Sequence, residues 1–179
     1  MSSAERTARG WPGMAARMLG LAFAATLLAA CQVRPLYAPD ASGGTARSQL
    51  PAIAVDEPVT RPEQVFRNAL LFGLRGGGEA SASLYKMNYR MTFDIQQLAI
   101  EAVTGTPTSY QVNGRIAYIL EDAATGEPLL VDEALATASY NRSSQNFANL
   151  RAERDAEDRV ATALASRVET RLATYFAAR

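Results

Sequence analysis

The chain has 179 residues, 48% of them hydrophobic and 20% charged, with 18 basic side chains balancing 18 acidic ones. That is enough chain for one domain with its own core, and a composition far from that of disordered segments or of proteins that grip nucleic acid through a basic face. Histidine is absent and cysteine occurs once, which removes the commonest general base and metal ligand, any internal disulfide and any cysteine-rich metal site.

The amino terminus carries Arg6, Arg9 and Arg17 against Glu5, followed by the uncharged run Met18–Ala30 (MLGLAFAATLLAA). A membrane-spanning helix needs about 17–25 apolar residues, so this run is too short to cross a bilayer. A basic start, a short apolar centre and small residues at its end describe a secretory signal covering residues 1–30. The closing residues Leu28-Ala29-Ala30-Cys31 resemble the lipobox of bacterial lipoproteins. That resemblance implies recognition of Leu28, Ala29 and Ala30 by the lipoprotein signal peptidase, a diacylglyceryl group on the Cys31 sulfur, cleavage before Cys31, and acylation of the freed amine. Two or three acyl chains hold a protein on a membrane stably, since each buried CH₂ contributes about 0.8 kcal/mol. Gln32, where enterobacterial sorting reads aspartate as retention in the inner membrane, points to the outer membrane. From Cys31 onward the chain holds 15 basic and 17 acidic side chains.

Residues 31–50 read as a tether: Val33-Arg34-Pro35-Leu36-Tyr37 is followed by the loop-like Pro39–Arg47 (PDASGGTAR). The domain proper is expected over 51–179. Ile53-Ala54-Val55 predicts a first short strand, closed by Pro58. A helix follows, announced by the capping box Thr60/Glu63 with Pro62 in its first turn. Its apolar face is Val65, Phe66, Ala69, Leu70 and Leu74, and Gly76-Gly77-Gly78 ends it. The glycine run follows a helix rather than a strand and lacks a following Gly-Lys-Ser/Thr, so it reads as a turn and not as a phosphate loop.

Tyr85, Met87, Tyr89, Met91, Phe93 and Ile95 alternate strictly with Lys86, Asn88, Arg90, Thr92, Asp94 and Gln96, the period of a half-buried strand. A second long strand is expected over Tyr110–Leu120, with Tyr110, Val112, Ile116, Tyr118 and Leu120 on one face. Asp122–Glu127 (DAATGE) supplies a turn into a third long strand, Pro128–Tyr140. From about Asn149 to Ala178, Val160, Leu164, Val168, Leu172 and Phe176 step by four along a closing helix. The order is β-α-β-β-β-α. It predicts an α+β two-layer sandwich, with a mostly antiparallel sheet of about four strands and two helices on one face.

In this order the chain resembles the LptE family of lipopolysaccharide-assembly lipoproteins. The resemblance rests on the lipobox cysteine leading into Arg34-Pro35-Leu36-Tyr37, on the capped helix with Phe66-Arg67-Asn68-Ala69-Leu70, and on the Tyr85–Phe93 and Tyr110–Leu120 strands. Tyr140-Asn141 at a strand end and the long closing helix complete it. It implies the two-layer fold, a place on the periplasmic side of the outer membrane, and a non-enzymatic role without a cofactor beyond the lipid on Cys31. It further implies a role as plug and assembly partner of the LptD β-barrel, in contact with lipopolysaccharide during its export.

Phosphorylated lipid headgroups call for Arg or Lys, whose N–H donors match phosphate oxygens. Lys86 and Arg90 fall on the polar side of the best strand, Arg115 on the polar side of the next, and Arg142 follows the third; these four are the candidate contacts. The bland alternative is a set of solvated charges keeping an open sheet soluble. Tyr85, Tyr89, Tyr110 and Tyr118 have the parity of core residues, and Arg151–Arg159 (RAERDAEDR) that of a solvated helix start. Two rival functions remain at this level. One is the auxiliary lipoprotein of an envelope lipid ABC transporter. The other is a lipid-anchored hydrolase, for which Lys86, the only lysine, would have to serve as base.

Overall fold

A computed structural model of the chain describes residues 46–78, 82–100 and 107–178. The signal region, Cys31 and the expected tether up to residue 45 lie outside the described residues. Within them the order is β1 (Ile53–Val55), α1 (Arg61–Arg75), β2 (Tyr85–Ile100), β3 (Pro107–Asp122), β4 (Pro128–Asn141) and α2 (Asn146–Ala177). The strands form one sheet in the order β1-β2-β3-β4. β2, β3 and β4 are an antiparallel meander, whereas β1 runs parallel to β2, Ile53 beside Tyr85 and Val55 beside Met87. A parallel pair needs a crossover, and α1 provides it. The expected α+β sandwich is the fold observed.

α1 starts as its sequence dictates. The Thr60 hydroxyl accepts from the Glu63 N–H (3.4 Å), and the Glu63 carboxylate accepts from the Thr60 (3.1 Å) and Val59 (2.7 Å) N–H groups. It stops at Gly76, whose φ of +60° is the left-handed conformation that glycine adopts without steric cost; its N–H closes on the Phe72 carbonyl at 2.8 Å. The glycine run is thus a helix terminator. The β3–β4 turn is held by Asp122, whose carboxylate accepts from the backbone N–H groups of Ala124 (2.9 Å) and Thr125 (3.0 Å). Those bonds, Thr125 first, draw its carboxyl below the ordinary range.

Both helices lie on the sheet face carrying Met87, Met91, Val112, Ile116, Tyr118 and Leu120. α1 contributes Phe66, Leu70 and Leu74, and α2 contributes Val160, Leu164, Val168, Leu172 and Phe176, all buried. Phe66 meets the Tyr89 ring at 5.1 Å and Phe176 meets Tyr85 at 5.0 Å, both tilted. Arg61 and Asp158 tie the two helices together at the rim (2.6 Å).

Several boundaries differ from the sequence reading. Leu50, expected at the end of a tether, sits in a helical turn (Ala46–Gln49 running into Leu50–Ala52) and is only 2% exposed, so the folded part begins before residue 51. β2 continues past Ile95 to Ile100, and β3 starts at Pro107, because the hairpin keeps its ladder after apolar alternation has ended. α2 begins at Asn146 rather than Asn149. Asn149 is a buried clamp inside the first turn: its carbonyl oxygen accepts from the Ser143 N–H (2.8 Å) and its amide donates to the Ser143 carbonyl (2.9 Å).

Gly114 is the inner-face position of β3 that an apolar pattern passes over. A Cβ there would collide with Val160 and press on Leu164 and Phe93. Opposite it, β4 carries Ala136 and Ala138, and α2 brings Ala156, Ala161 and Ala165 to the core. Small residues on both layers let the long helix sit close to β3 and β4.

Candidate functional site

With both helices on one face, the other face of the sheet carries no covering element among the described residues. Its side chains are Lys86, Asn88, Arg90, Thr92, Asp94 and Gln96 from β2, alternate residues Ser109–Glu121 from β3, and Val131, Glu133, Leu135, Thr137 and Ser139 from β4. Lys86 and Arg90 are exposed there. Arg115, opposite Thr92, is one diagonal step from Arg90, whose own partner is Ala117. Diagonal neighbours lie about 7–8 Å apart, so Arg90 and Arg115 are able to share one anionic ligand.

The charges are interleaved. Arg115 already holds Glu133 (3.3 Å), and Glu121, opposite Lys86, accepts from the Asn88 amide (3.0 Å). Lys86, Arg90 and Arg115 are matched in number by Asp94, Glu121 and Glu133, so the face is mixed rather than basic. Among the described residues, Lys86 and Arg90 have no ion-pair partner.

Arg142 stands apart from the other three. Its guanidinium lies over the Tyr110 ring, 5.3 Å from the centroid, with Nη1 donating to the Tyr110 hydroxyl (3.3 Å). Tyr110 in turn stacks on Tyr140 (5.5 Å), whose hydroxyl donates to Glu153 at 3.2 Å. Burial pushes the Tyr140 hydroxyl up to about 12. This stack belongs to the helix-bearing side, where Arg142 closes the end of the core.

Sequence pattern missed the apolar part of the open face. Val131 (68% exposed), Leu135 (48%) and Ile119 (37%) project there, Ile119 directly opposite Val131. The inner positions of β4 from Ala134 onward are instead Ala134, Ala136, Ala138 and Tyr140, while Leu135 and Val131 project from the opposite face. Beside Leu135 a shallow hollow of about 480 Å³ is lined by Thr92, Asp94, Asn113, Arg115 and Thr137. No set of His, Cys, Asp or Glu able to hold a metal occurs among the described residues, and no described helix is long and apolar enough to cross a membrane.

Comparison with known proteins adds what geometry alone does not. The family model described as LptE, lipopolysaccharide-assembly, matches residues 50–172. This chain belongs to the LptE family. Solved structures share its fold. A Caulobacter crescentus protein described as a lipoprotein aligns with a TM-score of 0.61 at 21% identity, over 75% of this chain and 97% of that one. A minor lipoprotein from Acinetobacter baumannii gives 0.54 at 18%, over 68% and 89%. The rare lipoprotein B of Shewanella oneidensis gives 0.51 at 11%, over 68% and 92%. A search of curated proteins finds no match. The LptE match begins at Leu50, the residue whose burial opens the folded part. As an LptE-family member the protein is a lipoprotein of lipopolysaccharide assembly.

Proposed function

We propose that the protein is lipidated on Cys31, held on the periplasmic face of the outer membrane, and acts as plug and assembly partner of the LptD β-barrel while contacting lipopolysaccharide. The family match over residues 50–172 carries this reading. The uncovered sheet face supports it. A plug inside a barrel meets a wet lumen and needs a polar surface with few apolar anchors. Asn88, Thr92, Gln96, Gln111, Asn113 and Thr137 supply that surface, and Ile119, Val131 and Leu135 the anchors. For a phosphorylated headgroup, Lys86 and Arg90 are the best placed of the four candidates. Arg115 would have to leave Glu133, and Arg142 is committed to Tyr110.

The test is recovery of the native protein from detergent-solubilised envelopes. A stable complex with an outer-membrane barrel, and loss of both the complex and palmitate labelling in Cys31→Ser, is the expected outcome. Co-purification with an inner-membrane ATPase system instead would transfer the protein to the auxiliary-lipoprotein role. In the isolated protein, Lys86→Gln with Arg90→Gln should weaken lipopolysaccharide binding about a hundredfold, the loss of two charge-assisted hydrogen bonds, with the thermal midpoint unchanged. Unaltered affinity would return both residues to the role of solvated charges.

A further inference from the structure

The two edges of the sheet are treated differently. Along β4, Arg159 of α2 donates to the Ser139 carbonyl (3.0 Å), Arg171 holds Asp132 (2.6 Å), and Pro128 opens the strand. β2 has no such guard. β1 covers it only from Tyr85 to Met87, and the next irregularity is the register shift between Gln97 and Ala99. Among the described residues, Asn88–Gln96 therefore presents a bare strand edge, whose unpaired backbone groups can template another strand.

We propose that this edge pairs antiparallel with the same edge of a second copy, centred on Thr92. The interaction goes beyond the plug reading and does not depend on it. Three features of β2 argue for it. First, Thr92 is the midpoint of the uncovered stretch, so a two-fold axis there uses the whole stretch without meeting β1 or the register shift. Second, side chains match across that axis. On the open face Arg90 falls opposite Asp94 of the other copy, twice by symmetry, and Asn88 opposite Gln96. On the helix-bearing face Met91 falls opposite Phe93 and Tyr89 opposite Ile95, which covers the Ile95 side chain now 41% exposed. Third, the neighbouring registers are worse. A shift by one residue exchanges the two faces. Centring on Met91 or Phe93 leaves Arg90 and Asp94 facing neutral residues. Centring on Arg90 or Asp94 sets like charges against each other. Charge order and edge length select the same axis.

Paired copies would hide the β2 edge, the protection that the α2 arginines give β4. The test uses the full chain expressed without the barrel and carrying Thr92→Cys, whose only other thiol is Cys31. A short bis-maleimide should join two copies through residue 92, while the unmutated chain gives no such product. Adding Arg90→Asp should cut the yield about tenfold, because two attractive pairs become repulsive. Arg90→Asp together with Asp94→Arg should restore it, a recovery that misfolding of the single variant would not produce. Absence of a 92–92 link, an equal yield in the Arg90→Asp background, no recovery in the charge-swapped variant, or linkage only to a different protein overturns the proposal.

Discussion

The two faces of one sheet obey different rules. The helix-bearing face is dry and size-matched: Phe66, Leu164 and Leu172 have no exposed surface, and Gly114 is small because Val160 occupies the space a side chain would need. The open face tolerates Val131 and Leu135 beside Glu133 and Thr137, since nothing there must interlock. Stability therefore resides in one face, and in the proposed role the other is left for recognition. Substitutions should separate the two.

The largest loss is expected for Phe66→Ala. Emptying a fully buried aromatic site costs about 3–5 kcal/mol, which for a domain of this size should lower the thermal midpoint by roughly 10–20 °C in a calorimetric scan. Gly114→Val should cost about 1–3 kcal/mol or more by overpacking α2. A midpoint within a degree or two of the parent would mean that α2 is not seated as closely as the Val160 approach requires. Val131→Ser with Leu135→Ser should change stability by less than about 0.5 kcal/mol per site yet reduce capture of the barrel. Unfolding of that variant would erase the distinction between the faces. The smallest effect concerns acid. Arg171, donating to Asp132, holds that carboxyl below the ordinary range. Its contribution is therefore complete above the unfolded value of about 3.9 and is lost as the pH falls through the lower folded value. Because the pair is partly solvent-exposed, it is worth less than about 1 kcal/mol. Asp132→Asn should accordingly lower the neutral plateau of a stability-versus-pH curve by that small amount and make the acid limb less steep, the two curves meeting at low pH.

Much of this was legible from side-chain order. The α1 capping box, the Gly76 stop, the Tyr85–Ile95 alternation and the four-residue steps from Val160 to Phe176 each encode a local geometry that the fold realises. β4 was harder to read, because three of its inner positions, Ala134, Ala136 and Ala138, are alanines while Val131 and Leu135 point outward. Hydrophobicity alone cannot tell a small core residue from a large exposed one. Of the four candidate cations, parity placed Lys86, Arg90 and Arg115 on a common face. Arg142 follows the end of its strand, where parity no longer governs direction, and the Tyr110 ring decided its position.

The sequence by itself determined the elements, their order and the strand faces, since periodicity, caps and turns act over a few residues. It also carries Leu28-Ala29-Ala30-Cys31, the lipobox-like stretch on which the proposed lipidation rests. Only tertiary structure decided that both helices share one side, that Gly114 admits α2, that Arg142 lies over the Tyr110 ring, and that β2 keeps a bare edge while β4 does not. Those are outcomes of contacts between residues far apart in the chain, where the shape of one surface is set by what packs against its reverse.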